Sequence, residues 1–288
     1  MARHVTDTIE VRRLRLPALS RWRLRRLPLL PGLILVTVVV CAAFAPLLAP
    51  HSPTRGQLSE AFIPPVWAEG GTSRFLLGTD SLGRDILSRV IYGTRVSLVV
   101  SLVAVGLAGT LGAVLGISAG YLGGWVEALI MRLVDIALSL PLILVALVLV
   151  LVMKPGIDTV VIVIASLTWA RYARQVRGEV LSVKERDFVT VARALGATDV
   201  RIMVRHVFPN VFNTLVVLAT LQVGAVILLE AVLSFLGIGV PPPDPSWGQM
   251  VAEGRNFIVV AWWIAFWPGL AIMFTVLAVN LFGDWLRD

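Results

Sequence analysis

An all-α membrane protein crossing the bilayer six times is the fold class this sequence predicts. Three observations predict it. Of the 288 residues, 57% are hydrophobic and only 15% charged, with a mean hydropathy of +0.86. A soluble domain carries about 25% charged residues, so charge is too sparse here to cover a globule. Long uncharged runs recur along the chain at the length a spanning helix needs, about 20 residues. The cations are arranged with a side preference: 23 of the 25 basic residues are arginine, and they alternate between crowded and sparse segments as the chain advances. Soluble enzymes, disordered tails and disulfide scaffolds are excluded together, and the single Cys41 has no partner to oxidise.

The elements follow in order. Residues 1–28 form a basic tail with eight arginines, from Arg3 to Arg26. The first transmembrane helix is expected over 29–50, in the 24-residue uncharged run Leu27 to Pro50. Its basic flank and small residues near Ala43 and Ala45 imitate a cleavable signal, but the run exceeds the apolar core of about 7–15 residues of such a signal. Residues 51–95 are expected outside the bilayer. Within them, 79–95 place Leu82, Ile86, Leu87, Val90 and Ile91 opposite Arg84, Asp85, Ser88 and Arg89, which reads as an amphipathic helix with Asp85 and Arg89 spaced for a pair.

Residues 96–288 then hold five further spans. Uncharged runs of 31, 18, 23 and 28 residues, Val96 to Val126, Ile136 to Met153, Val207 to Leu229 and Asn256 to Gly283, account for four of them. The weaker fourth span starts at Pro155, carries Asp158, and is expected to continue past Trp169 as a helix into water. Counting cations on each side gives 18 on the side of the tail and seven on the other. The excess of Arg and Lys marks the cytoplasmic side, so both termini are expected in the cytoplasm. Trp125, Trp169 and Trp285 fall near the inner interface, and Trp262 and Trp263 near the outer one. The basic charge is therefore topology, not a nucleic-acid footprint.

Catalytic chemistry is missing from the pattern. The only lysines, Lys154 and Lys184, follow no phosphate-cradling glycine loop. His4, His51 and His206 are scattered, which gives no metal-ligand spacing. Gly116 to Gly120 fits the letters of a serine-hydrolase elbow, but no span interior supplies the histidine base. With Gly106, Gly109 and Gly112, those glycines instead form a small-residue packing stripe. No catalytic, cofactor or metal residue is expected.

Ionisable residues at membrane depth are informative because burying charge in lipid is costly. Arg132 and Asp135, three apart on one helix, are expected to form a structural ion pair. Glu230 has no basic neighbour in sequence. It either caps an adjacent helix or faces a wet path, and the expectation taken is that it lines a pathway near an outer gate.

The cytoplasmic segment 179–210 is long and helical on either side of Gly196. Gly196 suits a left-handed helix end, Thr198 or Asp199 can cap the next helix, and Pro209 marks a break. Such a helix–turn–helix knob is suited to touching another protein, with Arg193 and Arg201 free for acidic groups on it.

The stretch Thr190, Val191, Ala192, Arg193, Ala194, Leu195, Gly196, Ala197, with Pro209 thirteen residues past the glycine, resembles the cytoplasmic EAA loop of ABC-importer permease subunits. Thr190 stands where that pattern has its acid. Three further stretches resemble the second permease subunit of the dipeptide/oligopeptide/nickel branch. They are Leu77 to Asp85, with Asp80, Gly83, Arg84 and Asp85; Met131 to Asp135; and Leu233 to Gly239 running on to Gly248. The resemblance implies a type I ABC importer permease fold carrying peptides across a bacterial plasma membrane by alternating access. It implies a paralogous permease as heterodimer partner, two cytoplasmic ABC ATPase subunits or one fused ATPase, and an extracytoplasmic solute-binding protein. Nickel, haem or another small solute is the alternative cargo, and a self-sufficient channel or secondary transporter the alternative class, although no internal repeat supports the latter.

Overall fold

A computed structural model describes residues 28–154 and 156–287. The basic tail lies outside them. Helices dominate, and among the described residues the only β pairing is an isolated bridge between Thr79 and Asp85.

The first apolar run forms α1 (Leu29–Ala43) and a single turn, α2 (Ala45–Leu48), rather than one continuous span. Pro46 has no N–H to return to Ala42. The freed carbonyls are taken from outside: Arg95 Nε donates to Ala42 O at 3.0 Å and Nη2 to Ala43 O at 3.4 Å. A loop with a short 3₁₀ turn at Leu58–Glu60 leads to α3 (Ile86–Leu122). At 1.5 Å per residue its 37 residues span roughly 55 Å, well beyond the hydrocarbon core of about 30 Å.

Gly123, with φ +67°, ends α3 and opens α4 (Gly124–Ser139). The expected third span is broken. Leu140 precedes Pro141 and takes the extended backbone a residue before proline prefers. As a result α5 (Leu142–Val152) leaves α4 at 94°. Then α6 (Ile157–Val183) runs 27 residues without interruption, through Trp169 and three arginines.

After it come α7 (Asp187–Ala194), α8 (Asp199–Ile202), a π-helical turn at Met203–Val207, and α9 (Phe208–Phe235). The expected break at Pro209 does not occur. Proline sits in the first turn of α9, and the wider π turn before it absorbs the missing hydrogen bond, so residues 199–235 read as one long helix. The chain closes with α10 (Trp247–Arg255), capped by Ser246, and α11 (Trp263–Arg287).

Among the described residues, three helices are long and apolar enough to cross a membrane, α3, 199–235 and α11, or four if the bent α4–α5 pair is one crossing. The six-span reading rests on α1 and α6 as well. α1 is apolar but only 15 residues long.

The core follows the small residues. Tyr172 and Ala173 of α6 lie against the α3 glycine stripe, and a Cβ at Gly116 would come within 2.6 Å of Ala173 O and 2.8 Å of Val176 Cβ. Glycine there lets two backbones approach as in small-xxx-small packing. Buried Val100, Ala104, Ile164, Val226 and Leu233 extend this seam to α9. Separate clusters close the two ends of the bundle, around Met250 and Trp263 at the Asp80 end and around Val180 and Ile202 at the Gly196 end.

Candidate functional site

The knob at the Gly196 end is built from local rules. Leu195 ends α7, and Gly196 follows at φ +80°. Ala197 N donates to Ala192 O at 3.1 Å and Gly196 N to Arg193 O at 3.0 Å, which together make a Schellman ending. Nothing lies within 4 Å of a Cβ added at Gly196, so only its backbone angle demands glycine. Thr198, not Asp199, is the cap of α8, with its Oγ1 accepting from Arg201 N at 3.4 Å.

Two faces of this knob differ. Val189 and Ala192 turn inward onto Val180, Val183, Ile202 and Val207. Outward face Thr190, Val191, Ala194 and Leu195, with Val200 and Val204 beyond the turn. Leu195 is 83% exposed, Val200 65% and Val204 64%. An apolar surface of this kind on an otherwise charged segment marks a contact surface. Arg193 stays exposed, with its Nη2 donating to the Tyr121 hydroxyl at 3.4 Å and its guanidinium 5.7 Å from the Tyr121 ring centre. That hydrogen bond, more than any other contact, holds Arg193 above the usual arginine range.

At the opposite end, Asp80, Gly83, Arg84 and Asp85 do come together, but not on an amphipathic helix. Residues 79–85 form a tight turn, and α3 begins only at Ile86. Asp80 Oδ1 accepts from Leu82 N and Arg84 N, each at 2.9 Å, and Oδ2 accepts from Arg84 Nε at 2.7 Å and from Arg89 Nη1. Glu253 of α10 completes the set, accepting from Arg84 Nη2 at 3.0 Å and Arg89 Nη1 at 2.8 Å. The expected polar face is therefore interior, with Arg89 fully buried, while Leu82 is half exposed. Nor do Asp85 and Arg89 pair. Asp85 sits outside the helix as its N-cap, accepting from Ser88 N at 2.9 Å and Ser88 Oγ at 2.6 Å. Trp263, expected at a lipid interface, is buried and donates to Thr79 O at 3.0 Å.

Two membrane-depth expectations are also corrected. Asp135 pairs with Arg174 of α6 rather than with Arg132. Val134 packs on Ala170 and Ala173, which brings Asp135 across to α6, and Arg132 stays exposed. A neighbouring pair, Glu127 with Arg177, staples the same helices. Glu230 faces no open path: it is completely buried, with Oε1 accepting from Ser234 Oγ at 2.7 Å and Oε2 from Ser97 Oγ at 3.3 Å. Ser246, the cap of α10, donates on to Ser234 at 3.2 Å. Glu230 thus joins α3, α9 and the start of α10.

Sequence reasoning missed Tyr121, Arg174 and Glu253. Each acts through a partner 39 to 169 residues away, a separation that no local periodicity reports.

Comparison with known proteins gives concordant results. A family described as binding-protein-dependent transport system inner membrane component matches residues 112–288. The chain is 46% identical over 256 residues to a di/tripeptide transport system permease protein, DppC, of Pseudomonas aeruginosa (strain UCBPP-PA14), spanning 89% of this chain and 84% of that one. It is 41% identical to the dipeptide transport system permease protein DppC of Haemophilus influenzae, over 89% of this chain and 88% of that protein. A glutathione transport system permease protein, GsiD, of Pectobacterium atrosepticum is 42% identical over 76% of this chain and 73% of its own length. Among solved structures, an inward-facing MetNI methionine ABC transporter chain shares the fold, with TM-score 0.60 at 17% identity, covering 70% of this chain and 96% of that one.

Proposed function

Because the chain belongs to the family of binding-protein-dependent transport system inner membrane components, we propose that it is the membrane-spanning permease subunit of an ATP-driven peptide importer. Membership rests on the family match and on relatives at 36–46% identity over most of the chain. Peptide cargo rests on those relatives being peptide transport system permeases.

The finer reading follows from the geometry. The chain crosses the plasma membrane six times, with α1, α3, the bent α4–α5 pair, α6, α9 and α11 as the crossings and both termini in the cytoplasm. The Gly196 knob is the EAA coupling loop, and Thr190, Val191, Ala194 and Leu195 form the surface that a cytoplasmic ATPase subunit grips. The ATPases, two separate or one fused, supply all bond chemistry, and this subunit supplies none. A paralogous permease completes the pathway as a heterodimer, and an extracytoplasmic solute-binding protein delivers cargo to the Asp80 end. Transport is alternating access, in which partner binding shifts the population of inward- and outward-open arrangements. The observation that carries the coupling reading is the apolar outer face of the knob, with Leu195 83% exposed, set on a rigid Schellman turn. A second reading of the cargo, glutathione, is favoured by the relative that carries it.

Gly196→Val tests the coupling reading. A side chain at φ +80° costs about 1 kcal/mol or more and reshapes the turn, while the open space around it spares the spans. In proteoliposomes holding the full complex, cargo uptake should fall about tenfold, the change that roughly 1.4 kcal/mol of weakened docking produces, with insertion unchanged. Wild-type uptake with wild-type ATP hydrolysis would place coupling elsewhere.

A further inference from the structure

We propose that Tyr121, at the last turn of α3, is a positioning residue that clamps the two arms of the Gly196 turn and makes α3 a third lever of the coupling loop. The inference rests on the reading of that turn as the ATPase-docking element. The loop follows α6 and precedes α9, so chain connectivity alone links it to two helices. Tyr121 adds a third by contact.

Its hydroxyl donates to Asp199 Oδ1 of α8 at 3.0 Å and accepts from Arg193 Nη2 of α7 at 3.4 Å. Those two residues lie on opposite sides of Gly196, so one oxygen ties both arms and fixes the angle between them. Its ring is 7% exposed and packs in the cluster of Val176, Val180, Val189 and Ile202, so the hydroxyl is delivered from a fixed base. A second tether lies one residue away, where Lys184 Nζ donates to Gly120 O at 3.1 Å. Further along, α3 carries the glycine seam against α6 and, toward the far end, Ser97 against Glu230. A tilt of the knob is thereby carried along a helix of 37 residues to the Asp80 end. Without the hydroxyl, the Schellman bonds and the Val189–Ile202 packing still join α7 to α8, but their polar tie to the end of α3 is gone and part of the push is lost.

Tyr121→Phe removes one oxygen and keeps the ring. In proteoliposomes containing both permeases, the ATPases and the binding protein, radiolabelled dialanine uptake per ATP hydrolysed should fall at least about fivefold, which corresponds to about 1 kcal/mol, the low end of the net worth of the two hydrogen bonds lost. ATP hydrolysis itself should persist. Asp199→Ala, which removes one of the two bonds, should give a loss no larger than that of Tyr121→Phe, and the double variant no more than Tyr121→Phe alone, because Tyr121→Phe already removes both. Asp199→Asn, which still accepts through its amide oxygen, should restore most of the coupling. Amide hydrogen exchange over residues 187–202 should rise in Tyr121→Phe, and it reads the clamp whether or not dialanine is carried. A wild-type uptake-to-hydrolysis ratio and wild-type exchange in Tyr121→Phe overturn the proposal, as do losses that multiply in the double variant. Wild-type transport by Gly196→Val sinks the docking reading itself. An uncoupled Gly196→Val beside a normal Tyr121→Phe sinks only the clamp.

Discussion

Glu230 shows how a carboxyl group at membrane depth is made tolerable. Its two oxygens take hydroxyls from Ser97 and Ser234, and Ser246 extends the chain of bonds to the cap of α10. These bonds join three elements, so the residue ties α3, α9 and the start of α10 together. Glu230→Gln keeps the shape and at least one accepting oxygen, and should cost about 1 kcal/mol or less. Glu230→Ala strands the serine hydroxyls and opens a void, and should cost about 3 kcal/mol. Thermal unfolding of the purified complex in detergent measures both, and transport by Glu230→Gln should stay within about twofold of wild type. A Gln variant that folds normally yet does not transport would return the residue to the pathway. Asp80 works by the opposite chemistry, pairing two buried guanidinium groups with the help of Glu253. Removing one member of such a set leaves an uncompensated buried charge.

Helices α3 and α6 meet along glycines, and that contact sets the distance between the two longest uninterrupted helices ahead of the knob. At Gly116 a Cβ would press on Ala173 O and Val176, neither of which has room to yield within a helix. Gly116→Val should therefore force the helices apart and cost more than about 2 kcal/mol, the range seen for overpacking a close interface. The expected result is loss of the monodisperse complex on size-exclusion chromatography. Gly106→Val is the internal control, since nothing lies within 4 Å of its Cβ, and should behave as wild type. Equal behaviour of the two variants would mean that the seam does not hold the helices together. Proline acts on the other elements in three ways. It divides α1 from α2, turns α5 away from α4, and at Pro209 is absorbed by a π turn.

The bundle as a whole carries a contact surface at one end and a buried ionic latch at the other. The proposed six crossings with both termini inside predict where a membrane-impermeant thiol reagent reaches single cysteines placed in a Cys41→Ala background. Leu195→Cys should label only from the cytoplasmic side and Val259→Cys only from the outside, in right-side-out against inverted vesicles. Val259 is 92% exposed at the turn between α10 and α11, so it is open to reagent in either arrangement. Labelling of both positions from one side would remove the six-span reading and with it the assignment of the knob to the cytoplasm.

Composition and patterning were enough for the membrane class, the helical content, the packing role of the glycine stripe from Gly109 to Gly120, though not at Gly106, which meets nothing, and the turn at Gly196. All of these are set within a few residues, by hydropathy or by backbone preference. The family resemblance was equally legible, because the Gly196 loop and the Asp80 turn are contiguous in sequence. What faces inward was not. The sequence put Arg84 and Arg89 on a wet face, yet they are interior because α10, more than 160 residues later, brings Glu253 to them. It paired Arg132 with Asp135, whereas the packing of α4 on α6 supplied Arg174 instead. It named no partner for Arg193 within the chain, and the end of α3 supplied Tyr121. Hydropathy and helical spacing describe a helix's own surface, but the partner of a buried charge is chosen by whichever element packs against it, and that choice is made only when the chain is folded.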